Sequence, residues 1–200
     1  MAISRKNFLL SLSFMLLLAA VFLQYTPTTT FYNKLLGKLE LTGFQTSLSL
    51  NDYAMKDHLG NEVSWQTYND KPLYLTTGFT QCPYSCPTTM AFYQKLADRL
   101  QDRARFALLT VDPDNDTPAV LKRYLSGINP RFIGLYIEEK HNLIRAIADL
   151  KQSVQDIPGA QNIIHSNYIY LLHPTTKGLI IYNKQNLELI SQDFTRINQT

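Results

Sequence analysis

The chain has two cysteines, Cys82 and Cys86, which are four positions apart and follow a strand-like run of residues. If a helix begins at this point, both thiols lie on one of its faces, where they can share a metal ion or close a disulfide. The first turn of such a helix offers unpaired amides and a positive dipole end, so we expect the pKa of Cys82 to be lowered and its thiolate to be favoured. This spacing indicates copper binding or thiol redox chemistry.

A third candidate ligand, His165, comes from a distant part of the chain. Cys82 follows a predicted strand at residues 73–77, and His165 precedes another at residues 168–172. Ligand sites of open α/β sheets gather beyond the carboxyl ends of the parallel strands. If the later strand runs antiparallel to its neighbour, its start lies at that same edge, and we expect His165 to approach the cysteines there.

Two thiolates and one neutral imidazole form a soft site of low coordination number. Such a site selects Cu(I) over magnesium, calcium or manganese, whereas zinc requires a fourth ligand. Asp112 and Asp116 follow the predicted strand at residues 106–111 and reach the same edge of the sheet. Both are equally well explained as turn and cap residues, so the sequence leaves their role open.

The elements that must position these residues alternate between strands and helices. Thr117 is the expected N-cap of one helix, with Pro118 at its first position. The order strand, helix, strand, helix, strand, helix, two antiparallel strands and helix predicts an α/β fold, a thioredoxin-like domain whose mixed central sheet is flanked by helices. The predicted strands are residues 73–77, 106–111, 132–137, 168–172 and 179–182, and the predicted helices are residues 87–100, 118–125, 138–151 and 187–197.

The amino terminus predicts a membrane anchor. Arg5 and Lys6 precede a run at residues 8–23 that is apolar apart from two serines. With its flanks this run approaches the length of a transmembrane helix, and the basic flank should stay in the cytoplasm. A cleaved signal peptide is the alternative, but small residues are poorly placed for cleavage. Either interpretation exports the cysteines into an oxidising compartment.

Composition sets the remaining limits. The 200 residues, 45% of them hydrophobic, can bury one ordinary core behind the anchor. We expect an anchor at residues 1–25, a linker at 26–43 and one domain at 44–200. The net charge of +3 is spread along the chain, so nucleic acid is not an expected partner. The short basic start lacks an Arg-rich transit segment, which favours a bacterial protein.

Three motifs together resemble the Sco/SenC family of membrane-anchored, thioredoxin-like copper proteins. They are GFTQCPYSCP at residues 78–87, VDPDNDTP at 111–118 and HSNYIYLLHP at 165–174. Their joint occurrence, order and spacing are far more specific than any one of them. The resemblance extends over about residues 48–182.

The resemblance implies Cys82, Cys86 and His165 as ligands of a copper ion; Cu(I) is expected, and binding of Cu(II) as well is left open. It implies delivery of copper to the dinuclear copper site of cytochrome c oxidase, or maintenance of the thiols of that site. The expected partners are the copper-bearing oxidase subunit, other copper chaperones and the membrane. The expected location is the bacterial cytoplasmic membrane, crossed once, with the domain on the periplasmic or extracytoplasmic side. The chain departs from the family pattern at Tyr84 and Ile164, where many members carry an acidic residue.

Three other functions stay open. A thiol-disulfide oxidoreductase would use Cys82 to attack and Cys86 to resolve, but enzymes of thioredoxin type use CxxC and a cis-proline, and residues 162–170 contain no proline. A peroxiredoxin-like peroxidase is indicated only by Thr80, two residues before Cys82, with no arginine identified beside the thiol. A structural CxxxC disulfide would constrain a very short loop and stabilise little.

Overall fold

The computed structural model describes residues 14–15, 17, 41–46, 53–82, 85–152, 154–156, 163–176 and 178–199. The chain divides into two compact units, Met1–Glu40 and Leu41–Thr200. In the first unit, Phe14, Met15 and Leu17 are helical and exposed, and the rest of the predicted anchor lies outside the described residues. Within the described residues, no helix has the length and apolar character needed to span a bilayer. The predicted domain boundaries stay predictions.

The described part of the second unit contains the strands β1 (Phe44–Thr46), β2 (Met55–Asp57), β3 (Glu62–Val63), β4 (Leu73–Gly78), β5 (Arg105–Thr110), β6 (Ile133–Tyr136), β7 (Val154–Asp156), β8 (Ile163–His165), β9 (Ile169–Leu172) and β10 (Leu179–Tyr182). Eight of these described strands form a mixed sheet with the order β1-β10-β9-β4-β5-β6-β2-β3. Strand β4 pairs in parallel with β5, and β5 with β6, while the other pairings are antiparallel. The remaining two, β7 and β8, form a separate antiparallel pair.

Among the described residues of this unit, four α-helices connect and cover the strands: α1 (Ser85–Leu100), α2 (Pro118–Ser126), α3 (Lys140–Asp149) and α4 (Leu187–Ile197). The strands and helices predicted after residue 72 are all present, with ends displaced by at most two residues. At the start of α2, Thr117 accepts a hydrogen bond from the Val120 amide and Pro118 occupies the first position, as predicted.

The core lies on both faces of the sheet because the central strands β4 and β5 bury every side chain except that of Arg105, as parallel strands do. Helices α1, α2 and α4 pack on one face, around Tyr93 and Phe106. Helix α3 and the short 3₁₀ segment Trp65–Tyr68 pack on the other face, around Leu135. The arrangement confirms the predicted thioredoxin-like α/β fold with a mixed sheet.

Two features of the fold differ from the prediction. The helical spacing of Leu143, Ile144, Ile147 and Leu150 predicts that all four lie on one side of α3, but Ile144 is 58% exposed, because the buried stripe follows Leu143 and Ala146. The pair β7–β8 has no counterpart in the prediction. Its sequence signal was the dipeptide Pro158-Gly159 between two short strand-like runs.

Strand β9 runs antiparallel to β4. Its start therefore lies at the same sheet edge as the end of β4, which is the condition on which the predicted approach of His165 depended. Cys82 follows β4 by four residues, and His165 precedes β9 by four residues. The topology alone thus places both segments at one edge.

Candidate metal site

The ligand atoms of Cys82, Cys86 and His165 all lie within 4.8 Å of one another. In the part of the chain that the structure describes, they are the only such group of three metal-ligating side chains. His165 Nε2 is 3.4 Å from Cys86 Sγ. The structure therefore brings together the three residues that the sequence singled out.

The two cysteines enter the site from different local structures. Cys82 lies in a turn, where its amide donates to the Phe79 carbonyl oxygen at 3.3 Å, and α1 begins only at Ser85. The prediction that Cys82 belongs to the first helical turn was wrong, since the helix starts three residues later. Cys86, not Cys82, occupies that turn.

Both sulfurs are shielded from water. Cys82 is 9% and Cys86 4% exposed, and the two thiols are not joined by a disulfide. They form a small apolar cluster with Phe79 and Val111, against which Ile147 of α3 packs. An apolar setting of this kind favours a soft, weakly hydrated metal ion over hard cations that keep their water.

Burial raises the pKa of the Cys86 thiol to about 12, while a backbone hydrogen bond from Phe79 opposes the rise in part. At neutral pH this thiol therefore keeps its proton. Burial and the nearby Cys86 and Cys82 also raise the pKa of Tyr124 on α2 to about 12. The phenol therefore stays neutral beside the sulfurs.

His165 is held in the tautomer that a metal ligand needs. Its Nδ1 lies 3.2 Å from the Ser166 carbonyl oxygen, and because a carbonyl can only accept, Nδ1 carries the proton and Nε2 keeps its lone pair. Burial lowers the pKa of His165 and outweighs the opposing effect of that hydrogen bond. The ring is neutral at physiological pH, and it meets Phe79 edge-on at a centroid distance of 6.0 Å.

Asp116 fixes the loop that leads to Cys82. Its carboxylate is fully buried and accepts hydrogen bonds from the Thr80 amide at 2.9 Å, from the Thr80 hydroxyl and from the Thr110 hydroxyl at 2.7 Å. Burial raises its pKa, and these hydrogen bonds oppose the rise in part. Asp112, in contrast, accepts from the Asn115 side chain in its own turn and does not join the three-ligand group.

Nothing in the local sequence distinguishes Asp116 from Asp112. Both stand in the same acidic loop, and the open role of the two acids is resolved only by the long-range contact between Asp116 and Thr80. Phe79 was also not predicted as part of the site. The sequence signal for Phe79 was its position between the end of the predicted strand and Cys82.

A sequence model of the SCO1/SenC family matches residues 43–197. The chain belongs to this family. Among curated relatives, a protein of Stutzerimonas stutzeri is 28% identical over 148 residues, which are 71% of this chain and 72% of that protein. The chain spans little more than half of the next three relatives, between 53% and 57% of their length.

Solved structures of other family members superimpose on the same fold. The structure of Bradyrhizobium japonicum ScoI with copper bound has a TM-score of 0.61 at 25% identity, over 73% of this chain and 97% of that one. BsSco is described as a member of the Sco family of cytochrome c oxidase assembly proteins. It has a TM-score of 0.63 at 20% identity, over 80% of this chain and 96% of that one.

Proposed function

We propose that this SCO1/SenC protein binds one Cu(I) ion through Cys82, Cys86 and His165 and delivers it to the copper-bearing subunit of cytochrome c oxidase during assembly. The observation that carries the proposal is the convergence of two sulfurs and one imidazole nitrogen within 4.8 Å. Copper is here the cargo. The copper-bound ScoI structure and the assembly role described for BsSco support the assignment.

The donor set fits this cargo. Two sulfurs and one neutral nitrogen match the softness and the low coordination number of Cu(I). Because the Cys86 thiol is protonated at neutral pH, uptake of the ion releases its proton, so the affinity for copper rises with pH. His165 has no proton to release, since its Nε2 is already unprotonated.

Transfer by ligand exchange requires that the ion be reached from outside. His165 is half-buried, and the site lies at the edge of the sheet beyond β4. Incoming soft ligands from a partner would replace the bound ligands one at a time, and the same route would load the site from other copper chaperones. In the sequence, Tyr84 stands between the two cysteines where many family members carry an acidic residue, so the CxxxC segment of this chain has one negative charge fewer.

We place the domain outside the cytoplasmic membrane of a bacterium, behind an anchor formed by the apolar residues 8–23. The basic residues Arg5 and Lys6 orient such an anchor with its start in the cytoplasm. Fractionation with protease protection of the exported domain tests this placement. Digestion of residues 44–200 only after the cytoplasmic membrane has been permeabilised would contradict it.

The decisive experiment is an anaerobic titration of the reduced protein against a competing Cu(I) chelator. One equivalent of Cu(I) is expected for the parent, and Cys82→Ser, Cys86→Ser and His165→Ala should each lower the affinity by at least about 100-fold, more than the loss of an outer partner costs. His141→Ala is the matched control, because His141 is exposed on α3. Parent-like competition by all three variants would refute the metal site.

A second candidate function is reduction of disulfides. It is favoured by the proximity of the two cysteine sulfurs and by their thiol state. The Cys82 thiolate would attack a target disulfide and Cys86 would resolve the mixed disulfide, so that the target gains two thiols and this chain gains one disulfide. His165 has no part in that exchange. Reduction of a model disulfide that is unaffected by His165→Ala, without copper uptake, would establish this function instead.

A further inference from the structure

The side chain of Gln152 is turned into the protein by the way α3 ends. The Gln152 amide donates to the Ile147 carbonyl oxygen and the Lys151 amide to that of Ala148, both at 3.0 Å, while Lys151 has a φ of 53°. These are the features of a Schellman motif with lysine in the left-handed position. The next residue, Gln152, is therefore directed inward and is only 8% exposed.

A buried amide must find partners at both of its ends. The Tyr170 hydroxyl donates to Gln152 Oε1, and Gln152 Nε2 donates to the Ser166 carbonyl oxygen. Tyr170 is fully buried on β9, and burial raises the pKa of its phenol well above the usual range, so it remains a donor. Because Oε1 can only accept, the phenol fixes which end of the amide faces Ser166.

The Ser166 carbonyl is the same group that accepts the proton on His165 Nδ1. A carbonyl oxygen has two lone pairs, and here one accepts from Gln152 and the other from His165. A continuous path of hydrogen bonds thus runs from Tyr170 through Gln152 and Ser166 to the imidazole. At its far end, Nε2 faces Cys86 Sγ at 3.4 Å.

We infer that Gln152 is a positioning residue for the site: by holding the Ser166 carbonyl, it fixes the Nδ1–H tautomer and the ring orientation of His165, which presents Nε2 to a soft cation. Gln152 itself touches neither the sulfurs nor the ligand nitrogen. The relevance of this role to copper rests on the function proposed above. The effect on the imidazole does not, because it exists in the protein without a metal.

The test follows the tautomer of His165 by ¹⁵N NMR in the reduced, metal-free full chain. In the parent we expect Nδ1 to show the signature of a protonated nitrogen and Nε2 that of an unprotonated one. Gln152→Met keeps the length of the side chain but removes both hydrogen bonds, so mixed tautomers should appear. Tyr170→Phe allows the Gln152 side-chain amide to rotate by about 180°, so a smaller shift toward mixed tautomers is expected.

Gln185→Met is the matched control, since it removes a comparable hydrogen bond, from Gln185 Nε2 to the Thr89 hydroxyl at 2.9 Å, outside this path. It should leave the tautomer unchanged. Circular dichroism establishes which variants fold. A parent-like tautomer in Gln152→Met, or in Tyr170→Phe if the first variant does not fold, would overturn the inference.

Chelator competition then separates this inference from the proposed function. Gln152→Met should weaken Cu(I) binding by up to about 10-fold, the lower end of the cost of losing an outer partner of a metal ligand, because the Ser166 carbonyl that bonds His165 remains in this variant. If the tautomer changes but His165→Ala does not affect copper, the positioning role stands and the copper function fails. If His165→Ala abolishes copper binding while the tautomer of Gln152→Met stays parent-like, the copper function stands and the positioning role fails.

Discussion

Gly78 lies directly below the sulfur of Cys86: a methyl group on Gly78 would be 3.1 Å from Cys86 Sγ and equally close to Leu108 Cδ1. Gly78 is the last residue of β4 and is buried; Leu108 belongs to β5 and Cys86 to the first turn of α1. A methyl group on Gly78 would therefore fit only if Cys86 Sγ and Leu108 Cδ1 moved by a few tenths of an ångström. We expect Gly78→Ala to push Sγ out of its place and to weaken Cu(I) binding about tenfold, or about 1.4 kcal/mol.

Gly127→Ala serves as the control for this substitution. A methyl group there meets no atom closer than 3.4 Å, so chelator competition should give the parental affinity. Equal affinities for Gly78→Ala and the parent would show that Cys86 can move without cost, and the site would be less rigid than its packing indicates.

The carboxylate of Asp116 should matter through the loop that it holds. Asp116→Asn replaces one acceptor oxygen with a donor facing Thr80 or Thr110, and an unsatisfied buried group costs about 1–3 kcal/mol. We expect chemical denaturation to show that loss and the chelator assay to show weaker copper binding. Asp114→Asn, at an exposed position of the same loop, should change neither. Parental stability of Asp116→Asn would contradict the assigned role.

The sequence predicted the parts of this protein that local patterns encode. It predicted the strands at residues 73–77 and 106–111, the helix at residues 87–100 and the cap at Thr117. Each depends on a few neighbouring residues, and each was confirmed. The position of Cys82, beyond the carboxyl end of β4, followed from the predicted topology alone. The pairing of β9 with β4 then made the approach of His165 geometrically possible.

The sequence could not reveal the contacts that give these residues their properties. Asp116 and Gln152 act through partners 36 and 14 positions away, and hydrophobic periodicity says that a residue is buried but not what it touches. The predicted drop in the pKa of Cys82 assumed a helix start that lies at Ser85 instead. Cys86 does lie in the first turn of the helix, but burial in the apolar cluster raises its pKa.

Acid should destabilise the fold through two histidines outside the site. Nδ1 of His58 accepts from the Gly134 amide at 3.1 Å, and Nδ1 of His173 from the Thr175 amide at 3.2 Å. Burial lowers the pKa of both below the ordinary value of 6.5. Their contribution is complete above that value and is lost as the pH falls from it through the lowered pKa, by at most about 1.4 kcal/mol per pH unit for each histidine.

Urea denaturation at about pH 7.5, 6 and 5 measures this loss across the range in which histidine titrates. His58→Asn keeps an acceptor at the position of Nδ1 but does not titrate, so its stability should fall less between these values than that of the parent. His141→Asn, at an exposed position, should follow the parent. Identical pH dependence of the parent and His58→Asn would exclude His58 as a source.

Asp193 of α4 should anchor the start of the domain. Its fully buried carboxylate accepts from the Thr42 amide at 2.8 Å, the Thr42 hydroxyl at 2.7 Å and the Gly43 amide at 3.2 Å, just before the edge strand β1. Asp193→Ala leaves these donors without their acceptor, so the free energy of unfolding should fall by about 2–3 kcal/mol and Tm by roughly 5–10 °C. Thr42→Val removes only the hydroxyl and should cost about 1 kcal/mol. Calorimetry of both variants checks this order, and a smaller loss for Asp193→Ala than for Thr42→Val would show that the carboxylate does not anchor the start of the domain.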